Sequence, residues 1–226
     1  MVKNNIDLSK KDLVGINLNR MNLSGKDLSN KDMKGASLHG TNLSNANLRE
    51  ANLKDADLTI ADLRNANLTN ANLTNADLSN ANLVGTNLKY ANLSNAHLEY
   101  ANLTSADLSY ANLTSAKLYK ANLTDANLTD ANLKGADLVH AGLYHANLKG
   151  ASLYDANLYD AKLIHADLKG AHLVDANLKY ADLRYANLTK AILIDADLTK
   201  ADLTKTNLTK TDLTGAILTG TILEKE

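Results

Sequence analysis

Six histidines and 25 acidic side chains give this 226-residue chain the raw material for metal binding or acid–base work. The tightest grouping is His140, His145 and His165, with Asp125 and Asp160 nearby in sequence. Imidazole nitrogens and carboxylates are the usual ligands of zinc and related ions. His145 and His165 are twenty residues apart, as are His140 and Asp160. No second pair completes a tetrahedral set, so no metal site is expected. A basic grouping, Lys11, Lys26 and Lys31, could gather a small anion, but charge clusters near a chain end more simply form a solvated cap. Asp recurs along the whole chain, which makes its carboxylate pairs a product of repetition rather than general acid–base machinery. No Gly-rich phosphate loop precedes a helix, and no Ser/His/Asp arrangement converges. No catalytic, cofactor-binding or metal residue is assigned, and the chain is not expected to be an enzyme.

What must position these side chains is a five-residue repeat. In Ala121–Leu133, Leu123, Leu128 and Leu133 fall every fifth residue, each two places after Ala121, Ala126 and Ala131. We number the unit one to five: small residue, Asn or Asp, Leu, and two polar residues. The register runs from Ile6 to Leu223, about 44 units, with Met33 the only exception at the Leu position. A helix would advance each Leu by about 140° net, so no stripe would form. A continuous strand would send alternate Leu side chains to opposite faces. A short extended piece followed by a turn, repeated, satisfies both constraints. Asn, Asp, Ser and Gly at positions two, four and five are turn chemistry. Coils of such units stack at about 4.8 Å through backbone hydrogen bonds.

These units resemble the pentapeptide-repeat family, whose motif is a small residue, Asp or Asn, Leu or Phe, and two polar residues. The resemblance covers essentially the whole chain. It implies an all-β fold, a right-handed quadrilateral parallel β-helix of about eleven coils, with four units per coil and residues twenty apart stacked. One solenoid spans 1–226, with an irregular N-terminal coil or cap over 1–35, regular coils over 36–205 and a C-terminal coil and end over 206–226. In the cap, position one holds Ile6, Lys11, Ile16, Met21, Lys26 and Lys31 instead of Ala. A Lys ammonium cannot be buried unpaired, so a looser coil with Lys side chains bending to water is expected.

Composition narrows the function classes. Cys and Pro are absent, which removes disulfides and thiolate metal sites and suits a fold needing nearly every N–H in a ladder. The net charge of −1 points to neither nucleic acid nor a membrane surface. No apolar run reaches the roughly 20 residues of a membrane span, and no signal-peptide core is evident, so a cytoplasmic location is expected.

Function on a solenoid is written in its outward residues. Stacked at twenty, Tyr154, Val174 and Ile194 form one outward apolar column beside Asp155, Asp175 and Asp195. Tyr119, Val139 and Tyr159 form a second, Tyr144 and Ile164 lie on a third, and Tyr90 stacks on Tyr110. Such columns stabilise a sheet by about 0.2–1 kcal/mol per pair. Their clustering between Tyr119 and Ile194 also marks a candidate partner surface. Toward the C-terminus Thr206, Thr211 and Thr221 replace Ala, and Ile217 and Ile222 take position two. An uncovered coil edge there is a pairing hazard, so a homodimer through this end is expected. The expected function is a rigid rod-like scaffold that binds an unidentified protein and needs no cofactor. The alternative is a DNA mimic directed at gyrase or topoisomerase, of the quinolone-resistance type the resemblance brings with it. Near-neutral charge and the lack of an interrupting loop or terminal dimer helix argue against that alternative. A Thr array for ice is disfavoured, because Thr199, Thr204, Thr209, Thr214 and Thr219 rotate over all four sides.

Overall fold

A computed structural model describes residues 7–222. Ile6, Leu223 and the final Glu-Lys-Glu therefore lie outside the described residues. Parallel bridges join each position-two residue to its counterpart twenty residues on, from Asp12↔Asp32 to Asp202↔Ile222. Twenty residues per coil means four five-residue units per coil. The stack is about 50 Å long at the ordinary inter-strand spacing. Each bridge is a single residue wide, and no helix occurs among the described residues.

The unit Ala111–Ser115 shows how the sequence closes its hydrogen bonds. Ala111 N donates to Leu108 O at 3.0 Å across the corner. Asn112 N reaches back one coil to Ala91 O at 2.9 Å, while Leu113 N and Ser115 N reach forward to Asn132 O and Lys134 O at 2.6 and 2.9 Å. The remaining amide, Thr114 N, donates to the Oδ1 of Asn112 at 3.1 Å. All five N–H groups are thus satisfied, which explains both the absence of Pro and the preference for Asn or Asp at position two. The same Asn sends its Nδ2 to Asn92 Oδ1, one coil back, at 3.1 Å.

The corner is a turn whose second central residue, position five, has φ near +57°, as at Ser115 (φ 56). Positive φ at that place alone is the pattern of a type II turn. Gly occupies it ten times among the described residues, but Asn, Asp, Lys, His, Tyr and even Ile60 (φ 50) also do. The coil hydrogen bonds on either side hold these residues in a region that costs an L side chain about 1 kcal/mol or more.

Inside, the Leu column is sealed, with Leu18 through Leu178 at 0 % exposure apart from Leu23 at 2 %. Ala lines the same core beside it. Thr41 and Thr86, which replace Ala, are buried without penalty because each hydroxyl donates to a Leu carbonyl 23 residues earlier, Leu18 O and Leu63 O, at 2.7 Å.

The N-terminal segment departs from expectation. The ladder register runs through residues 12–35 as it does through later coils, so what differs there is the side chain in position one. Lys31 does not simply bend to water: its Nζ donates to Ser9 O and Lys10 O at 2.8 and 2.9 Å. These carbonyls belong to the first described coil, so the ammonium ties position one of the next coil to the corner beneath it. Lys11 and Lys26 are exposed. At the other end Leu208 and Leu213 are only half-buried and Leu218 is exposed.

Candidate functional site

Because the core is uniform, chemical variety sits at positions two, four and five. Position four lies low on the corner and position five stands above it. Of the six residues proposed as partner surface, only Tyr154 is exposed; Tyr119, Val139, Tyr159, Val174 and Ile194 are half-buried. The open apolar columns expected from spacing are therefore partly sunk into their corners. They also lie on two neighbouring corners, separated by the face that carries Asp137, Asn157, Asn177 and Asp197. The most exposed aromatic rings are instead at position five: Tyr90, Tyr100, Tyr110, Tyr180 and Tyr185.

Rings from positions four and five interlock along one corner. Tyr100 and Tyr119 meet with centroids 5.6 Å apart at 85°. Tyr119 then meets His140 at 5.7 Å and 73°, and His140 meets Tyr159 at 6.0 Å and 86°. Tyr159 and Tyr180 close the ladder at 5.3 Å. Lys120 Nζ lies 5.8 and 5.2 Å from the Tyr100 and Tyr119 centroids, and Lys200 Nζ lies 5.3 Å from that of Tyr180. The result is a continuous aromatic strip over four coil steps with an ammonium at each end. Spacing by twenty misses it, because its rings are alternately 19 and 21 residues apart.

The three grouped histidines, His140, His145 and His165, fall on two corners. His145 and His165 stack at 5.0 Å and 4°, and His165 continues onto Tyr185 at 4.8 Å and 15°. His140 is on the ladder corner, its Nδ1 2.9 Å from Asp160 Oδ2. Lys162 Nζ donates to the other oxygen of Asp160 at 2.6 Å. That bond, against opposing burial and aided by His140, holds the Asp160 carboxyl below its ordinary range. Burial alone would raise Asp182, but hydrogen bonds from Arg184 outweigh it and keep Asp182 low as well. These carboxylates are held ionised, the opposite of what a general acid needs. Among the described residues no three His, Cys, Asp or Glu converge on a metal-sized site.

Some position-two residues cannot accept the corner amide as Asn does: Lys117, Gly142, Lys162, His172 and Ile192. Each is followed two places on by a bulky residue, Tyr119, Tyr144, Ile164, Val174 and Ile194. Three of the six partner-surface residues, Tyr119, Val174 and Ile194, thus follow interruptions of the Asn pattern, whereas Val139 N and Tyr159 N donate to Asp137 Oδ1 and Asn157 Oδ1 in the ordinary way. His172 finds a different partner, the Tyr154 hydroxyl at 3.1 Å.

Known proteins share this architecture. The family model for pentapeptide repeats matches in eight copies, over 12–49, 51–89, 86–125, 121–158, 156–193 and 181–220. HetL, a pentapeptide repeat protein involved in heterocyst differentiation regulation from the cyanobacterium Nostoc sp. strain PCC 7120, is 35 % identical. That match covers 95 % of this chain and 92 % of HetL, with a TM-score of 0.72. QnrB1, a plasmid-mediated fluoroquinolone resistance protein, matches over 95 % of this chain and 92 % of its own at 20 % identity and a TM-score of 0.54, a likeness of fold alone. No curated protein matches. No helix of the described residues is long and apolar enough to cross a membrane. With the family model spanning nearly every coil and a solved relative of the same length above 30 % identity, the chain belongs to the pentapeptide-repeat family.

Proposed function

We propose that the chain is a non-enzymatic rigid scaffold, a right-handed, four-sided β-helix that displays side-chain columns to a protein partner in the cytoplasm. The carrying observation is the contrast between an invariant core and corners on which aromatic, cationic and β-branched residues cluster between Tyr100 and Lys205. Tyr is among the residues most enriched where proteins meet. The likeness to HetL, a protein involved in regulation, fits a regulatory role. Self-association through the C-terminal coil belongs to the same proposal, since Ile217 and Ile222 are 47 % and 54 % exposed.

Affinity capture from native cytosol tests it, with Tyr119, Tyr154 and Tyr159 replaced by Asp as control. A protein retained by the wild type and lost by the control supports the scaffold; identical captures by both remove the surface. The gyrase-directed alternative has one supporting feature, the stacked acidic column Asp155, Asp175 and Asp195. Unchanged supercoiling by gyrase at low salt in the presence of the protein would end that alternative.

A further inference from the structure

The ladder corner has a charge and a repeat that select among partners. Of its two carboxylates, Asp160 is engaged by Lys162 and His140, while Glu99 keeps its charge, with the neutral His97 ring 3.7 Å away. Lys179 is taken by Asp197 at 2.9 Å. Lys120 and Lys200 lie over ring faces and pair with no carboxylate among the described residues. Two ammoniums against the one carboxylate of Glu99 leave the corner net positive, beside rings that are half open to solvent: Tyr100 at 53 % and Tyr180 at 42 %. An occupant should be anionic and should also bring apolar side chains.

Ring geometry and axial repeat narrow its shape. Base stacking needs free ring faces, but here each ring edge meets the next ring's face at 73–86° along Tyr100, Tyr119, His140 and Tyr159. The ladder climbs about 4.8 Å per coil, or about 19 Å from Tyr100 to Tyr180. An extended peptide repeats about every 6.7 Å and would drift by more than a full rung over that length. An α-helix repeats every 5.4 Å per turn and drifts by only about 2.4 Å, half a rung.

We propose that this corner docks an amphipathic α-helix of a partner protein, one whose contact face carries acidic residues beside large apolar ones at one-turn spacing. The proposal rests on the scaffold reading and names the partner class for one of its corners. Lys120 and Lys200 meet the carboxylates, and the open edges of Tyr100, His140 and Tyr180 receive the apolar side chains.

The test is selection from a randomised helical peptide library displayed on phage, panned against the full chain. The variants Lys120→Glu/Lys200→Glu and Tyr180→Ser alter only exposed side chains, and Lys190→Glu serves as a control on another corner. Selected helices should carry Asp or Glu with Leu, Met or aromatic residues at i, i+4 and i+7. They should bind wild type and Lys190→Glu equally and lose at least tenfold affinity for the other two. Helices bound equally by every variant would overturn this corner and leave the scaffold reading standing. Selection without acidic bias, or of extended Pro-containing sequences, would overturn the helix. A dT15 oligonucleotide that competes with the selected peptides and shows the same variant dependence would overturn the partner class. Failure to enrich any binder would count against both readings.

Discussion

The Thr86 hydroxyl donates to the Leu63 carbonyl at 2.7 Å from a slot otherwise filled by Ala. Thr41, Thr206 and Thr211 do the same toward Leu18, Leu183 and Leu188. Every Ala slot of the regular coils has a Leu carbonyl in the matching place, 23 residues earlier. Thr should therefore be accepted anywhere along the core, while the isosteric Val should not. Ala126→Thr should be more stable than Ala126→Val by about 1 kcal/mol, the net worth of the hydrogen bond. Urea denaturation of the two variants checks this; equal midpoints would refute it.

Ile60 holds φ at 50°, a region that β-branched side chains rarely adopt. Asn at the same position of other units tolerates it, as at Asn80 (φ 59) and Asn45 (φ 58). Ile60→Asn should raise stability by up to about 1 kcal/mol by relieving the corner. A lowered thermal midpoint would mean that the contacts of the Ile60 side chain outweigh its backbone strain.

Gly142 stands where other units have Asn, in a backbone conformation that needs no glycine. A Cβ there would lie 3.7 Å from both Asn122 Oδ1 and the Tyr144 ring, ordinary contact distances. Gly142→Ala should therefore stabilise by about 0.5–1 kcal/mol through the unfolded chain alone. Gly150→Ala should do the reverse, since its φ is +64 and its Cβ would collide with Asp130 Oδ1. Thermal melts of the pair separate the two cases by the sign of the shift.

The parts of this fold legible in the sequence were those with a fixed period. Leu and Ala at every fifth place named the core, and the position-two bridges at a separation of twenty match the coil that family resemblance implied. The corner conformation was hidden, because position five accepts Tyr, Lys, Glu and Ile as readily as Gly, so composition did not betray positive φ. The role of position-two Asn was half visible: its outward placement could be read, its Oδ1 bond to the amide two residues on could not. Reading columns at twenty found Tyr90 over Tyr110 at 5.1 Å and His145 over His165. It could not find Tyr119 against His140, whose rings belong to different positions of the unit and meet only because long side chains lean across the corner. Lys31 eluded the pattern for a related reason, since its partners are backbone carbonyls that carry no sequence signature.

Leu128 is fully buried between two coils, whereas Leu208 near the C-terminal end is half-buried. In a solenoid each coil depends on its neighbours, so the same truncation should cost different amounts along the rod. Leu128→Ala should cost about 3 kcal/mol and Leu208→Ala about 1 kcal/mol. Hydrogen exchange should show the loss of protection centred on the mutated coil and fading over its neighbours. Uniform loss along the entire chain would contradict the nearest-neighbour account.

Asp160 should make stability weakly dependent on acid. Its folded carboxyl is held low, chiefly by the Lys162 hydrogen bond and secondarily by His140, against opposing burial. A depressed folded value means the stabilisation is present above the unfolded carboxyl's value of about 3.9 and is lost as pH falls through the folded one. The side chain is 35 % exposed, so solvent screening limits the contribution to under about 1 kcal/mol. Asp160→Asn should therefore melt slightly below wild type at pH 7, and the two curves should converge as pH falls through the lowered value of the folded carboxyl, where both side chains become neutral. A gap that does not narrow anywhere on acid titration would show that Asp160 acts through packing or corner conformation, and that its ion pair with Lys162 contributes nothing measurable.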